Sequence, residues 1–284
     1  MDLIFRKVPQ KKVDLEVIRD FIEDENPKRI HFATYHRNAL RRVEGKGNVV
    51  GRLVLPFNEP FDCIARKSLS MDSFLFASKF GSGYYRQIFS ENEFLQVEGF
   101  IEQVKDLVFL RDTLDLSVAL SMHETEPGIR TALGEHEFKV KYRADSTDVS
   151  VDKEALAVEM QRRLEDLPYF KFADYICAVP SSKPFMKEII GSLNGFNFVD
   201  ISNQIGWENK SGSLKDVTTA EEKLDMIQAW GLWFEEDMDL NGKTVLLVDD
   251  MYQSGVTLQY IAMRMKDAGA KRVFGMTLVK SLGN

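Results

Sequence analysis

The chain has 284 residues, of which 44% are hydrophobic and 29% charged, and its formal net charge is −7 at pH 7. This length and apolar fraction allow one large or two ordinary globular domains with a sizeable core. The negative charge argues against a nucleic-acid binder that is basic overall, and the two cysteines, Cys63 and Cys177, indicate neither a disulfide framework nor a zinc cluster.

Both thiols are expected to be buried and reduced, in a cytoplasmic protein. No apolar run approaches the length of a membrane span. The first residues, Met1 to Arg6, lack the basic and then apolar pattern of a signal peptide. We therefore expect no membrane partner, and the sequence leaves open whether the chain forms a homodimer.

Residues 1–150 are predicted to form an N-terminal α+β domain. Lys12 to Glu25 has apolar residues at helical spacing and predicts an amphipathic helix. Leu114 to Met122 and Glu135 to Arg143 read as two strands, joined by a turn-rich piece around Pro127 and Gly128, which suggests an antiparallel pair. His123 and His136 flank this hairpin and are expected to be structural.

The segment from Lys28 to Arg52 is rich in basic residues, with aromatic residues between them. Its basic members are Lys28, Arg29, Arg37, Arg41, Arg42, Lys46 and Arg52, against the single acid Glu44. Such a segment can bind phosphates and stack bases of a nucleic acid. The alternative is a solvated helix face that balances the acidic remainder. Gly81, Ser82 and Gly83 predict an exposed turn rather than a ligand loop.

Residues 151–284 are predicted to form an α/β domain with a parallel sheet flanked by helices, and residues 151–168 to be the linking helix. The predicted strands are Tyr175 to Val179, Phe198 to Ile201, Thr244 to Val248 and Val273 to Val279. The predicted helices are Phe185 to Leu193 and a helix from Thr257 that stops at Gly269. Ser202 to Ala220 is predicted to be a loop or lid, while Glu221 to Phe234 fits either a helix or a short strand.

The strand from Thr244 to Val248 is followed by chemistry suited to a phosphorylated sugar. Its apolar, β-branched sequence is typical of a central parallel strand, whose carboxyl end is where a ligand binds. Asp249 and Asp250 follow directly, and the loop after them offers backbone N–H groups, two hydroxyls and Gly255. The helix that follows would add its positive N-terminal end.

The run from Lys243 to Leu258 resembles the phosphoribosyl-pyrophosphate (PRPP) signature of type I phosphoribosyltransferases: four apolar residues, two acids, an apolar residue, a variable pair, Thr or Ser, Gly, any residue, Thr. In that family the acids hold the ribose 2′ and 3′ hydroxyls and the loop holds the 5′-phosphate. The resemblance implies catalytic roles for Asp249 and Asp250. It implies substrate binding by Tyr252, Gln253, Ser254, Gly255, Val256 and Thr257. The alternative is a pair of acids that caps a helix or coordinates Mg²⁺ in another α/β enzyme.

The turn after Val179 is a second candidate loop, because Ser181, Ser182 and Lys183 follow the first strand of the same sheet. These residues could hold the pyrophosphate of PRPP. The alternative is an ordinary strand-to-helix turn in which a serine caps the helix and Pro184 lies in its first turn.

The C-terminal part from Tyr175 to Lys280 is similar to the competence-associated ComF-like group, which opens with a Val-Pro turn and closes with Asp-Asp, a Gly-Val-Thr-Leu turn and Ala-Gly-Ala-Lys-Arg-Val. In that group a basic, mobile segment lies between the two loops, and this chain has Lys210, Lys215 and Lys223 there. These lysines are either a lid or a solvated face. The resemblance implies Mg²⁺ bound mainly through pyrophosphate and water, so no metal-ligand cluster is needed.

The resulting hypothesis is a phosphoribosyltransferase-like protein that binds PRPP or a nucleotide and transfers phosphoribosyl to a nitrogen acceptor with pyrophosphate release. The alternatives are a non-catalytic PRPP or nucleotide sensor and a nucleic-acid-associated protein, in a process such as DNA uptake, repair or defence. The sequence does not name the acceptor.

Overall fold

The computed structural model describes residues 12–23, 29–31, 40–45, 47–55, 76–77, 84–104, 106–110, 112–144 and 148–283. The chain divides into two compact units, Met1–Lys12 with Ile30–Phe109, and Val13–Arg29 with Leu110–Asn284. The expected boundary between residues 150 and 151 thus falls inside the second unit. The reason is that the segment after Leu110 pairs with the C-terminal sheet instead of forming a separate hairpin.

Between Leu15 and Leu110 the described part of the chain forms two helices and six strands. They are α1 (Leu15–Glu23), β1 (Arg29–His31), β2 (Leu40–Arg42), β3 (Gly51–Leu55), β4 (Phe76–Ala77), β5 (Tyr84–Ile88), α2 (Glu91–Val104) and β6 (Val108–Leu110). Strands β2 to β5 form an antiparallel sheet in the order β2-β3-β5-β4. This sheet and α2 belong to the first unit. The amphipathic helix expected from Lys12 to Glu25 is confirmed as α1.

The described parts of the basic segment from Lys28 to Arg52 include strands β2 and β3. The alternative prediction, that the segment is the solvated face of a helix, is therefore wrong for these residues. Its aromatic residues and several of its basic residues, including Lys28, Arg37 and Lys46, lie outside the described residues, as does the turn at residues 81–83. Arg42 is paired with Glu91, Nη1 lying 2.8 Å from Oε2, and its guanidinium lies 4.2 Å from the centre of the Phe94 ring.

The remaining elements belong to the second unit. They are β7 (Leu116–Met122), β8 (Glu124–Glu126), β9 (Ile129–Arg130), α3 (Ala132–Tyr142), α4 (Ser150–Asp166), α5 (Pro168–Lys171), β10 (Tyr175–Ala178), α6 (Phe185–Ser192), β11 (Val199–Asp200), β12 (Ile205–Trp207), α7 (Ala220–Ala229), β13 (Leu232–Phe234), β14 (Thr244–Tyr252), α8 (Val256–Asp267) and β15 (Arg272–Lys280).

Five strands of the second unit pair in parallel in the order β7-β15-β14-β10-β11. The central strand β14 is apolar from Val245 to Val248 and fully buried there, as a parallel strand covered on both faces must be. Helices α3, α4 and α6 pack in contact with one another or with the sheet, and α1, α7 and α8 form a second packed group. The α/β architecture with a parallel sheet and flanking helices is therefore confirmed.

The expected strand from Glu135 to Arg143 is wrong, because Glu135 to Tyr142 belong to helix α3 and Arg143 caps its C-terminus. The Thr131 hydroxyl caps this helix by accepting a hydrogen bond from the Gly134 N–H at 2.9 Å. Its buried residues, Gly134, Glu137 and Val140, are three apart, which is helical spacing rather than alternation. The turn at Gly128 is present, but it joins the short strands β8 and β9.

The ambiguous segment from Glu221 to Phe234 contains both predicted structures, since α7 is followed by β13. Strand β13 pairs antiparallel with β12, which lies inside the segment predicted to be a loop or lid. In the part of the chain that the structure describes, no helix combines the length and apolar character needed to cross a bilayer.

Candidate functional site

The two acids lie at the carboxyl edge of the parallel sheet but inside strand β14, which continues to Tyr252 instead of ending at Val248. Asp249 is paired with Thr277 of the neighbouring strand β15. The backbone N–H of Asp250 donates to Oδ1 of Asp249 at 2.9 Å. Both residues are half-buried, with the Asp250 side chain 20% exposed, so this edge offers hydrogen-bond acceptors to a ligand.

The turn from β14 into α8 contains only Gln253, Ser254 and Gly255. Gly255 adopts the left-handed conformation with φ 72°, and no side chain caps the helix that follows. The first N–H groups of a helix have no intrahelical partner, so this end is suited to an anion. Ser254 and Thr257 are half-buried at the turn, where their hydroxyls can add to the backbone donors.

The side chains of Tyr252 and Val256 are both 1% exposed and support the turn from inside. A Cβ atom on Gly255 would lie 2.2 Å from the Tyr252 hydroxyl oxygen. Of the six residues assigned to the loop, Tyr252 and Val256 can therefore contact a ligand only through their backbone atoms.

The second candidate loop lies beside the acids, because β10 is the direct neighbour of β14 and Val179 N–H donates to the Val248 carbonyl at 2.8 Å. Ser181, Ser182 and Lys183 are exposed. The Ser181 hydroxyl accepts from the Lys183 N–H at 3.3 Å, and no side chain caps helix α6. The capping serine of the alternative interpretation is thus not observed.

The segment that carries β12 is attached to this second loop through the Pro180 carbonyl. That oxygen accepts a hydrogen bond from Trp207 Nε1 at 3.0 Å and another from Lys210 Nζ at 3.4 Å. Burial lowers the pKa of Lys210, and the charges of Asp249 and Asp250 oppose that shift. Lys210 is an exposed residue that is nevertheless close enough to the two acids for their charges to act on it.

Helix α3 contributes a lysine that no sequence motif indicated. Lys141 Nζ lies 2.6 Å from Asp250 Oδ2 and 3.4 Å from Glu137 Oε1. Burial disfavours the charge of Lys141, but Asp250 and Glu137 outweigh it and raise the pKa of the ammonium group. The sequence contains no local signal for this pair, since α3 itself was predicted to be a strand.

The acids differ in their electrostatic surroundings. Burial, and then the adjacent charge of Asp250, raise the pKa of the Asp249 carboxyl, while Lys141 and Lys210 oppose the rise. Glu137 is fully buried, and that burial raises the pKa of its carboxyl against the opposing charge of Lys141. The edge therefore combines carboxylate acceptors, lysine charges and a free helix N-terminus, which suits a ligand with both hydroxyls and phosphates.

Residues 178–282 match the family model of the phosphoribosyl transferase domain. The parallel sheet and its flanking helices in this region agree with the α/β fold expected for a phosphoribosyltransferase-like domain. The matched range begins after α3, so Lys141 lies outside it.

A solved hypoxanthine-guanine phosphoribosyltransferase from Bacillus anthracis str. 'Ames Ancestor' is similar at 18% identity, with 52% of this chain and 68% of that chain covered and a TM-score of 0.28. A likeness at this level adds nothing to the family match. No curated protein matches the chain.

Proposed function

We propose that the C-terminal domain binds PRPP with magnesium and transfers its phosphoribosyl group to a nitrogen acceptor, in the cytoplasm. The observation that carries this proposal is the placement of Asp249, Asp250 and the uncapped N-terminus of α8 at one sheet edge, in a region that matches the phosphoribosyl transferase domain. The lysines beside these groups supply the positive charge that a pyrophosphate requires.

In this proposal, the 5′-phosphate lies against the turn after β14. The backbone N–H groups from Gln253 to Thr257 and the hydroxyls of Ser254 and Thr257 donate to it. The ribose hydroxyls donate to the carboxylates of Asp249 and Asp250. The pyrophosphate extends toward Ser181, Ser182 and Lys183, with Lys210 on the side of β12.

The transfer breaks the bond between ribose C1 and the pyrophosphate oxygen and forms a bond from C1 to the acceptor nitrogen. The nitrogen supplies the electron pair and loses its proton to water, and the pyrophosphate leaves with the electrons of the broken bond. Magnesium, if bound through the pyrophosphate and water, would supply positive charge that neutralises the leaving group, to which Lys183 and Lys210 would add theirs. The protein contributes positioning and the negative field of the two acids, which stabilises the electron-poor ribose carbon.

We further propose that the C-terminal domain belongs to the ComF-like group, because the segment between the two loops contacts the second loop. Trp207 Nε1 and Lys210 Nζ both donate to the Pro180 carbonyl, and this contact supports the proposal that the segment acts as a basic lid. Burial raises the pKa of Glu137, and the charges of Lys141 and then Lys215 oppose that rise, so Lys215 of the same segment acts on this carboxyl.

A second candidate function is binding of PRPP or a nucleotide without transfer. The ion pair between Lys141 and Asp250 favours it, because one acid of the site is already neutralised before any ligand binds. With Lys141 paired to Asp250, the site can still bind a phosphorylated ribose. It then has less negative charge with which to stabilise the electron-poor ribose carbon during transfer.

Calorimetric titration of PRPP with magnesium, followed by a pyrophosphate-release assay across nucleobases, tests the two functions. We expect binding by the wild-type chain, loss of binding in the folded Asp249→Asn/Asp250→Asn variant, and pyrophosphate release with one or more bases. The control is Glu236→Gln/Asp237→Asn, a pair of adjacent exposed acids in the same unit, which should bind as the wild type does.

Binding without release for any acceptor would favour the sensor. Unchanged affinity in the folded double variant of Asp249 and Asp250 would remove the proposed ribose site. Salt-dependent nucleic-acid binding that is lost in Arg41→Ala/Arg42→Ala would instead support the nucleic-acid-associated alternative.

A further inference from the structure

We propose that Lys141, contributed by helix α3 from outside the matched domain, is a positioning residue of the phosphoribosyl site and holds the Asp250 carboxylate for the ribose hydroxyls. This inference rests on the proposed function and adds to it a residue that the family match does not include. It implies that the site is complete only with the segment before residue 178.

The last turn of α3 contacts both the acid pair on β14 and the second candidate loop. The Lys141 side chain is ion-paired with Asp250 at 2.6 Å, and the Lys141 carbonyl accepts a hydrogen bond from the Lys183 ammonium group. One residue of α3 therefore joins the acid pair on β14 to the turn that follows β10.

Burial distinguishes this ion pair from an ordinary surface pair. The side chains of Lys141 and Asp250 are 14% and 20% exposed, and Glu137 is fully buried on the other side of the lysine. Exposed pairs contribute little, whereas removing one partner of a shielded pair leaves an uncompensated charge. Both oxygens of Glu137 lack a hydrogen-bond partner, and Lys141 Nζ lies 3.4 Å from one of them. His123 lies 3.5 Å from the other, but burial lowers the pKa of its ring and favours the neutral form, so the charge of Lys141 is the closer compensation.

The lysine also affects the charge state of the adjacent acid. Asp250, Lys141 and Lys210 are the charged groups that act on Asp249, and the two lysines favour its ionised form. A ribose hydroxyl donates best to an ionised carboxylate, since that form only accepts. Removing Lys141 therefore frees the Asp250 side chain to move and makes Asp249 retain its proton to higher pH.

The first experiment measures PRPP affinity with magnesium by calorimetry for the wild type, Lys141→Met and Lys139→Met. Lys139 is a matched control, because it lies on the same helix and faces Asp152, at 3.5 Å, instead of the acid pair. We expect Lys141→Met to bind at least about tenfold more weakly, corresponding to about 1.4 kcal/mol, and Lys139→Met to bind as the wild type does. Lys141→Arg, which keeps the charge, should restore most of the affinity.

The second readout is the pH dependence of the PRPP affinity. If Lys141 had a purely structural role, this pH dependence would be the same in Lys141→Met as in the wild type. In Lys141→Met the pH below which PRPP affinity declines should move upward, because Asp249 has lost one of the charges that favour ionisation. If Lys141→Met does not fold, Lys141→Gln is measured in the same way. A folded variant with unchanged or tighter PRPP binding overturns the inference while the proposed function stands, whereas a wild-type chain that does not bind PRPP overturns both.

Discussion

The ring of Tyr252 lies directly against Gly255, so that a Cβ atom on the glycine would be 2.2 Å from the tyrosine hydroxyl and 2.4 Å from its Cζ atom. Gly255 also has a φ of 72°, which side chains other than hydrogen rarely adopt. The turn that faces the proposed phosphate therefore depends on a glycine for two reasons, its backbone conformation and the ring packed beneath it.

Gly255→Ala should destabilise the fold and disrupt the turn, since the new methyl group must displace a ring that is 1% exposed. Strain of this kind typically costs about 1–3 kcal/mol. The free energy of unfolding from urea titration and the affinity for PRPP with magnesium would measure the two effects. Both should decrease.

The matched control for that variant is Gly242→Ala. Gly242 has the same φ of 72°, but a Cβ atom there would meet nothing within 4 Å. The difference between the two variants isolates the contact with Tyr252. Equal losses of stability in both would show that the ring does not constrain the turn.

Asp249→Asn and Asp250→Asn are expected to change stability in opposite directions. Asp249→Asn removes a carboxyl whose ionisation is disfavoured by burial, and the amide oxygen can still accept from the Asp250 N–H. Asp250→Asn removes the partner of Lys141 and should cost about 1–3 kcal/mol. Thermal unfolding at pH 7.5 would compare the two variants, since each kcal/mol of stability corresponds to a shift in Tm of about 2–4 °C.

The increase in the free energy of unfolding that we expect from Asp249→Asn should depend on pH. Because the pKa of Asp249 is raised in the folded state, the carboxyl destabilises the fold progressively as pH rises above about 4, the ordinary aspartate value. Below that pH both states are protonated and the difference from asparagine should disappear. A stability difference that is constant from pH 4 to pH 8 would contradict the burial of an ionisable Asp249.

Trp207→Phe should weaken the attachment of the β12 segment to the second loop. The substitution keeps an aromatic ring near Tyr260 and Trp230 but removes the Nε1 donor to the Pro180 carbonyl. The loss of one such hydrogen bond costs about 1 kcal/mol, and we expect weaker PRPP binding as Lys210 moves away with the segment. Trp233→Phe on the neighbouring strand β13 is the control, and equal affinities of the two variants would argue against the attachment.

Cys177 should be chemically inert in the folded protein. It is fully buried in β10, and burial raises the pKa of its thiol, so the reactive thiolate is suppressed. Labelling with iodoacetamide followed by mass spectrometry should modify the peptide containing Cys177 only after the chain is unfolded with guanidinium. Modification under native conditions would show that this strand opens locally.

Patterns that span a few neighbouring residues were predicted correctly from the sequence. The helices α1, α4, α6 and α8 and the strands β10, β14 and β15 follow from apolar periodicity and from stops such as Gly269. The same local pattern located Asp249 and Asp250 beside a helix N-terminus. It failed where two periodicities coincide, as in α3, whose alternating apolar residues also fit a strand.

The end of β14 shows a second limit of local patterns. Two acids are poor strand residues, and the sequence predicted a strand that stops before them. Pairing with β15 as far as Lys280 extends the strand through both acids to Tyr252, because the backbone hydrogen bonds of a neighbouring strand outweigh the local propensity.

The sequence by itself determined that a phosphate-binding turn and two acids follow a buried parallel strand, since all these groups are contiguous and their spacing is local. The tertiary structure decided that Lys141 of α3 is paired with Asp250 and that Lys210 faces the Pro180 carbonyl of the second loop. The physical reason is that these contacts join residues far apart in the chain, where charge and burial depend on how the helices pack on the sheet and not on any neighbouring residue.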